Sequence, residues 1–299
     1  MKILVTGGTT FVSKYVATYF VNRGDEVYVF NRNTKAQVDG VKLIEGDRHN
    51  PGDKLRSLEF DVVMDITAYD AEDITDLCAA LGKFGQYIMI SSSAVYPEYG
   101  QQPFSEDGEL AENKFWRKYG TDKISAEKAL LKFCHDAYIL RPPYLYGPMN
   151  NVYREAFVFD CARNDRKFYL PGDGEMKLQF LHVNDLCRII ERIIEIKPED
   201  HMINVGAAEP ISIREWVTLC YKCCGKTPAF VNVDKSIEQR KYFSFYDYEY
   251  FLDVQKQQKL LEDTVSMEAG LAESLDWYLK NEEEVNKKPL LEFIDEELA

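Results

Sequence analysis

The sequence predicts a doubly wound α/β fold, a parallel Rossmann-type sheet covered by helices on both faces, with a smaller C-terminal α/β part. Three observations predict it. Over the first 145 residues, short apolar runs alternate with stretches of helical periodicity, and strands that read as continuous apolar runs are those buried on both faces. After Pro148 the rhythm breaks, strands become few, and residues 230–253 form an aromatic-dense segment. Finally, 299 residues with 45% apolar and 29% charged content give ample core for one large domain or two intimately joined ones.

KILVT, from Lys2, is the first strand, and TGGTTFVS, Thr6 to Ser13, is the turn that leads into a helix over 10–24. The strands EVYVFN, KLIEG and DVVMDIT follow, then a helix over 71–83, the strand QYIMISS, a helix over 114–134 and the strand YILRPP. Helices over 151–163 and 184–196 flank the turn-rich PGDGEMK. No internal repeat or low-complexity linker interrupts the chain. We therefore expect a nucleotide-binding domain over 1–160, with 178–204 returning to it, and a substrate domain over 161–299. The latter ends in an acidic tail, 281–299, with seven acids against two lysines and one apolar face, LLEFI, to dock on the body.

Composition excludes several function classes. A net charge of −14 opposes nucleic acid as a partner, because gripping a phosphate backbone requires a basic face. No run of eighteen apolar residues is present, so no membrane span is expected, and the apolar stretch Ile3 to Val5 is too short for a signal peptide. Seven scattered cysteines without an export signal point to reduced thiols and a cytoplasmic protein. Cys220-x-x-Cys223 stands alone inside a helical run ended by Gly225, which reads as buried helix cysteines; no metal site is expected.

Three motifs carry chemistry. In TGGTTFVS, Gly7 and Gly8 supply a tight turn with positive φ, and the helix that follows, opened by Thr10, Phe11 and Val12, offers N-terminal amides to a pyrophosphate. Thr10 and Ser13 stand where the dinucleotide fingerprint usually has glycine. Tyr119 and Lys123 are four apart on a predicted helix and share a face, so the ammonium is expected to lower the phenol's pKa for acid/base work on an alcohol or carbonyl. ISSSAVY, Ile90 to Tyr96, places Ser92 at the carboxyl end of a strand, the side on which open α/β sheets bind ligands. Each motif alone has a plain alternative: an ordinary turn, a surface Tyr/Lys pair, a serine-rich loop.

Together, in this order, they resemble the extended short-chain dehydrogenase/reductase family of NAD-dependent epimerases and dehydratases. The likeness continues through LRPPYLYGP, GDG…FLHVNDL, INVGAAEPISIREW and VSMEAGLAESLDWYL. It implies NAD(P) on the glycine turn, Tyr119 as acid/base, Lys123 touching both the cofactor ribose and the tyrosine, and Ser92 as the family's Ser/Thr. Pro142 to Tyr144 would border the nicotinamide, and Asp47 would meet the adenine edge. GDRHNP and FDVVMDITAYDAEDI look most like a branch that includes the chloroplast stem-loop-binding proteins, whose plant members are described as binding RNA. That supplies a second function class, a cofactor-holding scaffold for RNA or a protein partner. The family also implies a homodimer through the tyrosine-bearing helix and a neighbour.

Three departures narrow the reading. Ser93 and Ala94 stand where the family's dehydratases carry acids, which disfavours 4,6-dehydration. Leu178 stands where nucleotide-sugar enzymes carry a diphosphate-binding arginine, so Lys177 or Arg154 would have to substitute, alongside Ser93 and Tyr144 as substrate contacts. Asn31 and Arg32 end the second strand in place of the acid that suits the ribose 2′-hydroxyl of NAD, which tilts the expectation toward NADP. The expected activity is an NAD(P)-dependent epimerase or reductase acting on a sugar or nucleotide sugar.

Overall fold

Seven parallel strands form the central sheet of the computed structural model, which describes residues 1–299. The chain runs β1 (Lys2–Thr6), α1 (Phe11–Asn22), β2 (Glu26–Asn31), β3 (Lys42–Glu45), β4 (Phe60–Asp65), α2 (Ala71–Ala80), β5 (Phe84–Ile90), α3 (Lys118–Phe133), β6 (Tyr138–Arg141) and β7 (Tyr144–Tyr146). It continues through α4 (Glu155–Arg163), β8 (Phe168–Pro171), β9 (Lys177–Leu178), β10 (Phe180–His182), α5 (Val183–Ile196) and β11 (Met202–Asn204). The last elements are β12 (Ile211–Ser212), α6 (Ile213–Cys223), β13 (Phe230–Val233), α7 (Gln255–Gln258), α8 (Met267–Lys280) and α9 (Leu290–Glu297). No helix is long and apolar enough to cross a membrane.

The sheet order is β11-β6-β5-β4-β1-β2-β3. Successive strand residues point to opposite faces, and both faces are dry. Ile3, Val5, Val27, Val29, Val62 and Met64 pack in the core with α1 and α5 residues, while Leu4, Phe30, Val63, Tyr87 and Met89 pack in the one with α2 and α3. This two-sided burial is why the strands read as unbroken apolar runs. The order reverses beside β1, whose neighbours are β2 and β4, and a crevice for a ligand opens at the carboxyl ends there.

A second core is built on aromatic residues from the C-terminal half. Phe180 stacks on Trp216, and Phe243 and Phe245 pack edge-on against Trp216. Tyr242, Phe243, Phe245, Tyr248 and Tyr250 of the aromatic string are buried here. This core also takes in Val95, Tyr96 and Tyr144, so the two halves share it. Helix α4 packs against α6 and α8, and residue 160 therefore falls inside a helix of the C-terminal layer.

Helix α3 starts four residues later than periodicity suggests. Asn113 accepts from the Phe115 amide at 2.9 Å and donates to the Tyr96 carbonyl at 3.0 Å, and Arg117 has φ +48°, so 114–117 form a separate turn. The acidic tail is a strap. Glu284 pairs with Lys14 at 3.1 Å, Glu282 with Arg163, and Lys287 with Asp160 at 2.9 Å. The Asn286 amide bonds the Asn151 carbonyl at 2.9 Å, and Leu290 and Ile294 of α9 are buried.

Candidate active site

The glycine turn lies at the carboxyl end of β1. Gly7 and Gly8 have φ of +86° and +90°, values that L side chains rarely adopt. A Cβ on Gly8 would stand 2.5 Å from Val29 Cγ1, and one on Gly7 would stand 2.9 Å from Ser13 Oγ. Thr10 precedes α1 but makes no side-chain cap, and the first turn of α1, from Phe11 and Val12, carries no acid. By contrast, Asp70 caps α2 by accepting from the Glu72 and Asp73 amides. The first amides of α1 are thus left for an anion, which is what a pyrophosphate requires. The Ser13 hydroxyl donates to the Thr10 carbonyl at 3.0 Å, and Lys35 Nζ reaches Thr10 Oγ1 at 3.4 Å.

A groove of about 510 Å³ runs from this turn past Arg32, Asp47, Arg48, Thr67 and Asp70. Arg32 is exposed and forms no ion pair. Asn31 is not free to meet a ribose as expected: its amide nitrogen donates to the Gly7 carbonyl at 2.6 Å, and its oxygen accepts from the Asn33 amide at 2.8 Å. It braces the glycine turn. Asp47 accepts from the His49 amide at 3.0 Å, shaping its own loop beside the groove. The floor is Arg48, unnoticed in the sequence, which pairs with Asp65 at 3.1 Å and Asp73 at 2.9 Å. Burial raises the pKa of Asp65, but Arg48, Tyr87 and Thr6 outweigh it and hold the carboxyl below its usual range.

Ser92 follows β5 and accepts from the Ala94 amide at 3.2 Å, which fixes the single turn Ser93–Val95. Tyr119 and Lys123 lie one turn apart on α3. Lys123 is 4% exposed, and its ammonium donates to the carbonyls of Ala68 at 2.6 Å and Ile90 at 3.0 Å. Burial brings its pKa down to about 8. The expected effect on Tyr119 is reversed. That phenol's pKa lies above its ordinary value, because burial of its surroundings outweighs the opposing Ser92 hydroxyl, although 38% of the residue's surface remains exposed. Lys123 Nζ stands 6.0 Å from the Tyr119 ring centre and 5.3 Å from that of Tyr69, with its hydrogen bonds on backbone carbonyls.

Beyond Ser92 the chain's two halves meet. The Pro142 carbonyl accepts from the Ser93 amide at 2.9 Å. The Ser93 hydroxyl bonds the Tyr250 hydroxyl at 3.0 Å, so Ser93 is a brace in this structure and not a free substrate contact. Tyr144 is 4% exposed, and its hydroxyl has no hydrogen-bond partner. It packs edge-on to Phe245 at 4.7 Å, deeper in the C-terminal core than a nicotinamide border implies. A cavity of about 1220 Å³ lies next to it, lined by Lys114, Trp116, Arg117, Lys235, Arg240 and Tyr246 among others. A smaller one of about 160 Å³ shares Trp116, Arg240 and Tyr246 and adds Tyr144, Arg154 and Lys288.

Lys177 lines neither cavity. Its side chain is exposed, and its backbone amide bonds Glu249 at 2.7 Å beside the β9–β12 ladder. The large cavity's cations are instead Lys114, Arg117, Lys235 and Arg240. Sequence reasoning passed over these. Periodicity places Lys114 and Arg117 in the helix over 114–134, but they lie in the separate turn before α3, while Lys235 lies in a turn and Arg240 in a single helical turn, Gln239–Lys241. The clustered bases of QRK, at 239–241, were the one visible signal. His182 is buried and neutral, its pKa pushed down to about 4 by burial. Its Nδ1 accepts from the Asn184 amide at 3.4 Å, a structural cap on α5.

The model of the NAD dependent epimerase/dehydratase family matches residues 3–206. The chain belongs to that family. The matched span holds the glycine turn, Ser92, Tyr119, Lys123 and Arg154, while Arg240 and Lys288 lie beyond it. This family member is 27% identical over 283 residues to chloroplast stem-loop binding protein of 41 kDa b from Arabidopsis thaliana, covering 87% of this chain and 74% of that one. It is 22% identical to the Arabidopsis thaliana trifunctional UDP-glucose 4,6-dehydratase/UDP-4-keto-6-deoxy-D-glucose 3,5-epimerase/UDP-4-keto-L-rhamnose-reductase RHM3, covering 94% of this chain but 48% of that protein. Among solved structures it resembles UDP-glucuronic acid 4-epimerase from Bacillus cereus, solved with UDP-glucuronic acid and NAD, at a TM-score of 0.73 and 21% identity. That match covers 94% of this chain and 99% of the other, and it shows a shared fold.

Proposed function

We propose that this family member is an NAD(P)-dependent epimerase or reductase acting on a nucleotide sugar or a similar alcohol or carbonyl. The observation that carries the reading is the placement of Ser92, Tyr119 and Lys123 at the carboxyl edge of the sheet, with an anion-ready glycine turn at the same edge. The nicotinamide, when bound, supplies the hydride donor or acceptor. Tyr119 donates its proton to a substrate oxygen during reduction and takes it back from the hydroxyl in the reverse direction. Ser92 donates a hydrogen bond to that same oxygen. Lys123 holds positive charge beneath the Tyr69 and Tyr119 rings and steadies the ribose side of the cleft.

For the adenosine end the reading is NADP over NAD. β2 ends in Asn31, whose side chain is engaged by Gly7, followed by the unpaired Arg32, and neither offers a carboxylate to a 2′-hydroxyl. The absence of acids at Ser93 and Ala94 supports epimerase or reductase chemistry over 4,6-dehydration. A nucleotide sugar is supported by the room in the 1220 Å³ cavity, whose lining mixes the four cations with the acids Asp173, Glu175, Glu238, Asp247 and Glu249, and by the likeness to the trifunctional UDP-sugar relative.

The deciding experiment is Tyr119→Phe. It is expected to lower turnover by roughly two to four orders of magnitude with cofactor affinity unchanged; full activity would overturn the catalytic role. A second reading, a scaffold that binds RNA, draws on the name of the stem-loop binding relative and is opposed by the net charge of −14. Tight, salt-dependent RNA binding together with an unaffected Tyr119→Phe variant would favour it.

A further inference from the structure

Three cations line the 160 Å³ cavity, Arg154, Arg240 and Lys288, and none of them forms an ion pair. Arg154 lies with its guanidinium 4.9 Å from the Tyr144 ring centre and 5.6 Å from that of Phe245, and one of its nitrogens reaches the Leu145 carbonyl at 3.4 Å. Arg240 lies 4.7 Å from the Tyr246 ring centre and bonds the Ser244 carbonyl. These contacts fix the planes of both forks without neutralising them. Tyr144, whose buried hydroxyl has no hydrogen-bond partner, lines the same space.

Lys288 comes from the strap and stands at the exposed mouth. Its place is set by its neighbours. Lys287 pairs with Asp160, which also accepts from Tyr153 at 2.7 Å and Tyr278 at 2.6 Å, and Leu290 is buried. Mutual repulsion is registered within the cluster: after desolvation, Arg240 and Arg154 lower the pKa of Lys288, and Arg154 works to lower that of Arg240. Three like charges facing one small space are disfavoured when it is empty and relieved by an anion.

We propose that Arg154, Arg240, Lys288 and the Tyr144 hydroxyl bind a carboxylate carried on the substrate's sugar ring, so that the preferred substrate is the nucleotide derivative of a sugar acid. This rests on the nucleotide-sugar reading above and specifies its substrate class. Two forked guanidiniums match a planar carboxylate. The site is linked to the Ser92–Ser93 turn through Tyr250, which bonds the Ser93 hydroxyl and packs against Tyr144 with ring centres 5.9 Å apart. The nucleotide and its diphosphate need far more room than 160 Å³, and the adjoining 1220 Å³ cavity, lined by both cations and acids, has that room.

The test is calorimetric titration of the cofactor-loaded full chain with UDP-glucuronic acid and with UDP-glucose, for wild type, Lys288→Met and Lys288→Arg, with thermal unfolding as the check of folding. The expected result is that wild type prefers the acid by about tenfold or more, the yield of one further charge-assisted contact. Lys288→Met should lose most of that preference, and Lys288→Arg should restore it. Equal affinities in wild type, or a preference untouched by Lys288→Met, would overturn the carboxylate site and leave the proposed function standing. If neither nucleotide sugar binds, the nucleotide-sugar reading fails, and free D-glucuronate at constant ionic strength decides the site. Thermal stabilisation that requires Lys288 upholds an acid-binding cavity, and its absence overturns it.

Discussion

The Lys123 ammonium lies 6.0 Å from the centre of the Tyr119 ring, yet its hydrogen bonds run to the carbonyls of Ala68 and Ile90. Those carbonyls follow β4 and end β5, so the lysine ties α3 to the sheet's carboxyl edge. Its charge sits within 6.0 Å of the Tyr119 and Tyr69 ring centres without a hydrogen bond to either phenol.

This burial gives stability a pH signature. The folded pKa of Lys123, about 8, is below the ordinary 10.5. Below pH 8 the lysine is charged in both states; between about 8 and 10.5 the unfolded chain binds the extra proton, so stability rises with pH across that window. The gain attributable to Lys123 is about 3 kcal/mol at most, and Lys123→Met should lack it. Denaturant unfolding of both proteins from neutral pH into that window checks it; parallel curves would contradict the depressed pKa.

Gly8 and Gly24 separate two reasons for glycine. Their φ values are +90° and +94°, but a Cβ on Gly8 meets Val29 Cγ1 at 2.5 Å, and one on Gly24 meets nothing within 4 Å. Both alanine variants should lose about 1–2 kcal/mol to backbone strain. Gly8→Ala should lose roughly 1–3 kcal/mol more to overpacking. Equal losses in chemical denaturation would refute the close approach.

At the phosphate turn, Thr10→Gly is expected to preserve or tighten cofactor binding, since the Thr10 hydroxyl caps nothing in α1. A large loss of affinity would make that hydroxyl a phosphate ligand. In the same titrations Arg32→Ala should weaken NADPH by about tenfold and leave NADH alone, the signature of one charge-assisted contact. Equal effects on both would remove the argument for NADP.

A groove of about 610 Å³ lies between α2 and α3, lined by Ile74, Ala79, Ala129 and Phe133, whose surface is 54% exposed. We expect this face to form a homodimer. Light scattering should report a dimer for wild type and a monomer for Phe133→Glu; a wild type that stays monomeric at high concentration would refute it.

The fold was legible because two-sided burial leaves its trace in composition: KILVT and EVYVFN match β1 and β2 residue for residue. Tyr119 and Lys123 were legible because helical spacing says which residues share a face. Their electrostatics were not, since the carbonyls that engage Lys123 belong to segments more than thirty residues away in sequence. Arg240 and Lys288 were hidden for a related reason. Arg240 sits in a single helical turn and Lys288 in irregular chain, both too short for a period to predict direction, and only tertiary packing brings 154, 240 and 288 to one cavity.

The strap has a consequence for how the protein comes into being. The walls of the small cavity are synthesised in the order 152–154, 240–246 and 288–290, and the parallel sheet is complete once β11 has emerged. A chain still on the ribosome can therefore fold its nucleotide-binding half while the pocket beside Tyr144 lacks its last wall. That small cavity then closes only when the strap docks and buries Leu290.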